Sequence, residues 1–149
     1  MTRKDFLAKL GVGAAFALTV PCLHSCSKAD DPGIEPPANL NLTLDLDDPR
    51  NGNLRDEGGF VVRDNAVVVA RTLDGGYAAA SLVCSHQQNL AMTYDETSGE
   101  WLCLVHGARF DESTGASLNA VPPENEMPPP LTIYRTSLSA DGRTLTVTS

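Results

Sequence analysis

The sequence predicts an all-β domain, a small antiparallel sandwich or barrel, on three observations. Hydrophobic residues alternate with polar ones at period two, short β-branched runs recur at even spacing, and glycine- or asparagine-containing turn signals separate them. After the first 25 residues no stretch sustains the 3.6-residue period of an amphipathic helix. Only 5% of the residues are aromatic, while 12 glycines and 10 prolines fit a turn-rich, strand-rich build. At 149 residues the chain has room for one such domain and little else.

Each strand is legible in turn. Leu40, Leu42, Leu44 and Leu46 alternate with Asn41, Thr43 and Asp45, the signature of a half-buried strand. Phe60 to Arg63 and Ala66 to Arg71 are β-branched runs joined by an Asp64-Asn65 turn. Asp74-Gly75-Gly76 separates the second run from Tyr77 to Val83, a further hairpin signal. Gly99 closes a polar turn before Glu100-Trp101-Leu102, and Ala140-Asp141-Gly142 joins strands at Leu131 to Leu138 and Thr144 to Thr148. There is no internal repeat.

The N-terminus reads as an address. Arg3, Lys4 and Lys9 precede an apolar stretch from Leu10 to Val20, far short of the roughly 20 residues a spanning helix needs. Residues 1–25 are therefore expected to be a signal peptide. Leu23-His24-Ser25-Cys26 resembles a bacterial lipobox, which implies cleavage before Cys26 and lipid on that cysteine; His24 departs from the small residue usual there. Thr2 to Leu7 resembles a twin-arginine export signal in which Lys4 replaces the second arginine. Residues 26–39, with Asp30, Asp31, Gly33 and prolines 32, 36 and 37, have nothing to bury and are expected to form an acidic, proline-rich linker. Localisation is accordingly expected to be that of an exported lipoprotein held at a membrane through Cys26, with residues 40–149 as the working domain.

Charge narrows the partners. The net charge is −8, and beyond residue 25 eight basic side chains face eighteen acidic ones. Such a body repels phosphate backbones and offers no basic stripe, so nucleic acid is not an expected partner. A positively charged protein partner or a cationic surface would be favoured in encounter.

Four cysteines stand at 22, 26, 84 and 103, and in an exported chain these first suggest disulfides. Their company argues otherwise. Cys84-Ser85-His86 ends one strand and Cys103-Leu104-Val105-His106 ends another, with 16 residues from Gln87 to Leu102 between them. The chain beyond Cys26 has only these two cysteines and these two histidines, so every thiol and imidazole falls in two short motifs. Two hairpin tips brought together would offer four metal ligands. At this level three readings stay open: an iron–sulfur site, a structural Cys₂His₂ zinc site, and a Cys84–Cys103 disulfide.

The pattern C-x-H, a spacer of this length, then C-x-x-H resembles the Rieske iron–sulfur family. The likeness extends to Tyr77 to Val83, to Phe110-Asp111 and Gly115, and to the proline-rich stretch before the last two strands, and so covers residues 40–149. It implies a Rieske-like antiparallel fold whose cluster-binding subdomain consists of two hairpin loops. It also implies one [2Fe–2S] cluster per chain, with Cys84 and Cys103 on the inner iron and His86 and His106 on the outer. The implied function is one-electron transfer between a redox donor and an acceptor, with no catalytic residue and no small-molecule substrate in evidence. Whether the chain is a free carrier or the electron-entry subunit of a larger oxidoreductase stays open, beside a non-redox zinc-braced binding protein.

Departures from the family carry expectations of their own. Quinol-oxidising members brace their loops with a further disulfide, and its places correspond here to Asn89 and Val105. They also donate a hydroxyl and a tyrosine hydrogen bond to the cluster sulfurs where Ala108 and Phe110 stand. Such bonds stabilise the reduced cluster, so the expected potential lies in the lower part of the range from roughly −150 to +300 mV. Pro128-Pro129-Pro130 is expected to cover the site, Trp101 to pack in the core, and Arg109 to face solvent.

Overall fold

The computed structural model describes residues 33–149; the expected signal peptide, Cys22, the lipidation site at Cys26 and residues 27–32 of the linker lie outside the described residues. Among the described residues nine strands form two antiparallel sheets: β1 (Asn41–Asp45), β2 (Phe60–Arg63), β3 (Val67–Arg71), β4 (Tyr77–Ser81), β5 (Met92–Asp95), β6 (Glu100–Cys103), β7 (Arg109–Phe110), β8 (Ile133–Leu138) and β9 (Thr144–Thr148). Among the described residues no helix is long and apolar enough to cross a membrane. A 3-10 turn at Pro49–Arg55 is the single helical element described. Asp48 caps it, its carboxylate accepting from the Arg50 amide at 2.9 Å, and Pro49 supplies a fixed φ at its start.

The larger sheet has the order β1-β9-β8-β4-β3-β2, and the smaller β5-β6-β7. β8 divides its pairing. Ile133 and Tyr134 face Ala80 and Ala79 of β4, whereas Arg135 to Leu138 pair with Thr148 to Leu145 of β9. A strand that changes partner midway turns a corner, and the sheet curls into a half-barrel.

Turn chemistry sets the hairpins. Asp64 and Asn65 both take positive φ, 53° and 50°, the backbone a two-residue loop needs to match the strand twist. β3 then runs back beside β2 with Val61 opposite Val69.

β3 is buried on both faces, and this divides the core in two. Val67 and Val69 pack with Leu44, Leu54, Tyr134, Leu145 and Val147 inside the curl. Val68 and Ala70 face the smaller sheet, against Tyr94, Trp101, Phe110 and Leu131. A strand sealed on both sides reads as an unbroken apolar run, which is how Val67-Val68-Val69-Ala70 appears in the sequence. Trp101 is fully buried, stands edge to face with Tyr94 at 5.1 Å between ring centres, and donates its indole N–H to the Glu112 carbonyl at 3.0 Å. The Tyr94 hydroxyl donates to the Glu112 carboxylate. This cluster also contains Cys84 and Cys103, so the hydrophobic core reaches up to the base of the candidate site.

Residues 33–39 have no regular secondary structure, yet part of this stretch touches the domain. The Tyr134 hydroxyl donates to the Pro37 carbonyl at 3.1 Å, and Gly33 lies so close to the Gln88 side chain that a Cβ would overlap it.

Candidate metal centre

The β5–β6 pairing brings the two sequence motifs to one place. Met92 lies opposite Cys103, so the loop entering β5 and the loop leaving β6 open at the same end of the hairpin. The Asp95–Gly99 turn closes the other end, its Gly99 amide donating to the Asp95 carbonyl at 2.9 Å.

The two loops are closed by the same pair of backbone bonds. Cys84 donates its amide to Asn89 O and accepts from the Gln88 amide, both at 2.8 Å. Cys103 donates to Ala108 O at 2.8 Å and accepts from the Gly107 amide at 2.9 Å. A Val83–Leu90 bridge seals the base of the first loop, and the Leu104 amide donates to Ala91 O at 3.0 Å, tying one loop to the other. In this way each cysteine points into the core from the root of its loop while its histidine sits further towards the tip.

Cys84 and Cys103 are fully buried, free of any disulfide, and members of the same core cluster. Burial pushes the Cys84 thiol up to about 11, against the pull of the His86 and Gln87 amides on its sulfur; the Cys103 thiol adds to the rise. Those two amides favour a thiolate at this position. The ring centres of His86 and His106 are 5.0 Å apart, with the rings 85° to one another. Both residues are half-buried, but the Nδ1 atom of each is buried without a hydrogen-bond partner.

A buried polar atom left unpaired costs about 1–3 kcal/mol. Among the described residues only three side-chain atoms are so placed, and two of them are these ring nitrogens. A metal ion bound to each Nδ1 would remove that cost. The donors are disposed as a pair of thiols and a pair of imidazoles, and no three Cys, His, Asp or Glu side chains among the described residues are grouped to hold a single ion. Two pairs suit a binuclear centre, each pair on its own metal, better than they suit one tetrahedral zinc.

The surroundings are braced without covalent bonds. Ser85 Oγ donates to Pro129 O at 2.6 Å, so the triple-proline segment lies against the first loop. Asn119 spans the second loop, its Nδ2 donating to Gly107 O at 3.0 Å and its Oδ1 accepting from the Arg109 amide at 2.7 Å. Asn119 escapes sequence reasoning, because nothing in Ser117-Leu118-Asn119 hints at a contact with residues ten and twelve positions earlier. Ala108 and Phe110 are buried and donate nothing from their side chains. Arg109, which the sequence leaves in solvent, instead pairs with Asp95 at 3.0 Å and Glu100 at 2.8 Å. Strand pairing across β6 and β7 sets Leu102 opposite Arg109, which turns the guanidinium towards the acidic hairpin.

A model of the Rieske [2Fe–2S] domain matches residues 45–135, more than half of the chain. Among solved structures, the cyanobacterial plasma membrane Rieske protein PetC3 from Synechocystis PCC 6803 superposes with a TM-score of 0.50 at 21% identity, over 72% of this chain and 99% of that one. A putative NADH-dependent nitrite reductase small subunit from Mycobacterium tuberculosis gives 0.50 at 13% identity, over 76% of this chain and 98% of that one. Identities this low carry the fold. No curated protein sequence matches the chain at a significant level.

Proposed function

The chain belongs to the Rieske [2Fe–2S] domain family, and on that premise we propose that it carries single electrons through a cluster held by Cys84, Cys103, His86 and His106. The family implies a [2Fe–2S] cluster; the assignment of its ligands rests on one observation above all. Two buried imidazole Nδ1 atoms without partners stand beside two buried free thiols that neighbour each other. Cys84 and Cys103, at the roots of the loops, would hold one iron of the cluster, and His86 and His106, nearer the tips, would hold the other.

When bound, the cluster supplies a one-electron redox centre whose neutral imidazole ligands leave it less negative than four thiolates would. The protein does the rest. The His86 and Gln87 amides favour a thiolate at Cys84. Core residues exclude water from the cysteine side, Trp101 and Phe110 being fully buried there. The half-buried histidines leave a short path to the surface.

Export and membrane anchoring through Cys26 complete the reading, on the strength of the basic n-region, the short apolar stretch and the lipobox-like Leu23 to Cys26. A second reading, an electron-entry subunit of a larger oxidoreductase, gains from the fold shared with a nitrite reductase small subunit. Co-purification with a catalytic chain distinguishes the two.

The test is metal and sulfide analysis together with electron paramagnetic resonance of the dithionite-reduced protein. Two irons, two acid-labile sulfides and the spectrum of mixed imidazole–thiolate ligation are expected, and His106→Cys should shift that spectrum towards the all-cysteine type. Colourless protein containing one zinc would overturn the reading.

A further inference from the structure

Residues 33–40 have the composition of a linker, yet they make contacts that a free linker would not. The Ser149 amide donates to Leu40 O and the Leu40 amide to Ser149 Oγ, both at 3.2 Å, which pins the stretch at the start of β1. Three residues earlier, the Pro37 carbonyl accepts from the hydroxyl of Tyr134, a residue buried in the core, at 3.1 Å. Four residues earlier again, Gly33 lies against the side-chain amide of Gln88. Glu35, Pro36, Pro37, Gln88, Tyr134 and Ser149 line one cleft, so the stretch runs from the end of β9 to the first ligand loop. Pro36 and Pro37 are half-buried along the way, and their fixed φ leaves less conformational entropy to lose when the stretch lies down.

It ends where the first loop is strained. Gln88 closes that loop through its amide on Cys84 O and takes a φ of 54°. A side chain makes this left-handed backbone costly, and it persists where the surroundings hold it. The second loop uses a glycine, Gly107, for the same task, and nothing lies within 4 Å of its missing Cβ. A glycine would serve the backbone of the first loop equally well. What the glutamine adds is a side chain, and that side chain reaches Gly33, which has no Cβ to push it away. The first loop also leans on a second proline segment, through Ser85 Oγ on Pro129 O at 2.6 Å.

We propose that residues 33–40 are a strap that positions the first ligand loop, and that Gln88 is the positioning residue through which the strap acts on Cys84 and His86. The inference goes beyond the electron-transfer reading and concerns how the protein aims one of its histidines. Glutamine at position 88 keeps the loop closed only while its side chain is clasped. The strap supplies the clasp, and the second loop has no need of one.

The test is native-state hydrogen exchange of the full chain, read by peptide mass spectrometry. P36G/P37G loosens the strap without touching the loop. Q88A removes the clasp and keeps a Cβ, so the backbone at position 88 stays as costly as before. Each variant should speed exchange in residues 83–91 by roughly three- to tenfold and leave residues 103–109 of the second loop unchanged. The combined variant should add little to the larger single effect, because both changes break the same contact. In the cluster-loaded protein, pulsed electron paramagnetic resonance should show one histidine nitrogen coupling shifted in both variants and the other unmoved. Equal acceleration in the two loops, unchanged exchange in the first loop, or fully additive effects of P36G/P37G and Q88A would overturn the proposal. A parent protein without the iron–sulfur spectrum would strike the cluster assignment and leave the contrast between the loops readable; an intact spectrum without that contrast strikes the strap alone.

Discussion

Gln88 and Gly107 hold the same place in two loops of matching construction: each lies four residues beyond its cysteine, donates its amide to that cysteine's carbonyl, and takes positive φ, 54° and 72°. Only one of them is a glycine. Around Gly107 nothing lies within 4 Å of where a Cβ would stand, so Gly107→Ala meets no clash and isolates the backbone cost. Chemical denaturation should show a loss of roughly 1–2 kcal/mol. Gln88→Gly should shift stability by less, since relief of the left-handed backbone is offset by the extra freedom of the unfolded chain.

Asn119 does for the second loop by hydrogen bonding part of what a covalent brace would do. Asn119→Ala leaves Gly107 O and the Arg109 amide without their partner. A loss of about 1–3 kcal/mol is expected, with faster hydrogen exchange at the Arg109 amide and faster release of iron on dilution into chelator. Asn119→Asp keeps the acceptor for Arg109 and forfeits only the donor to Gly107, so its effect should be smaller. Equal effects of the two variants would contradict this division of labour.

Ala108 and Phe110 are buried where quinol-oxidising relatives donate to the cluster. The midpoint potential should therefore lie in the lower part of the range from roughly −150 to +300 mV. Ala108→Ser adds one donor. At a net value of about 0.5–1.5 kcal/mol for a hydrogen bond to the reduced state, the midpoint should rise by roughly 20–60 mV. A redox titration of the parent protein giving more than about +200 mV would contradict the expectation.

Acid should destabilise the domain through its turns. Thr114, first through its hydroxyl and then its amide, lowers the Asp111 carboxyl below its ordinary range, and the Thr97 amide does the same to Asp95. Hydroxyls of Thr72 and Ser139 lower Asp74 and Asp141. A carboxyl whose folded pKa is depressed contributes stability above its unfolded value, near 3.9, and loses that contribution as pH falls through the folded value. Thermal midpoints should thus be flat around neutrality and drop as pH passes below about 4. Asp111→Asn should show a shallower drop, with a lower starting point.

Local chemistry made much of this molecule readable in advance. β2 and β9 fall on the residues that the sequence marks as strands, Phe60 to Arg63 and Thr144 to Thr148, and the Asp64-Asn65 turn takes the backbone that its residue types favour. Two cysteines and two histidines confined to two motifs likewise need no structure to be noticed. β5 and β7 were not legible. Met92–Asp95 is four residues long and Arg109–Phe110 two, and both exist because β6 lies between them. The 3-10 turn at Pro49–Arg55 was not legible either, because seven residues are too few for a periodic pattern.

Sequence by itself determined the residue types, their spacing and the alternation, all of which act over a few neighbouring positions. Tertiary structure alone decided that β8 shares itself between β4 and β9, that Asn119 clasps a loop formed ten residues earlier, and that Leu104 and Val105 stay in water at the tip. These depend on which distant segments bury each other's surface and satisfy each other's hydrogen bonds. Short-range pattern carries no record of that competition.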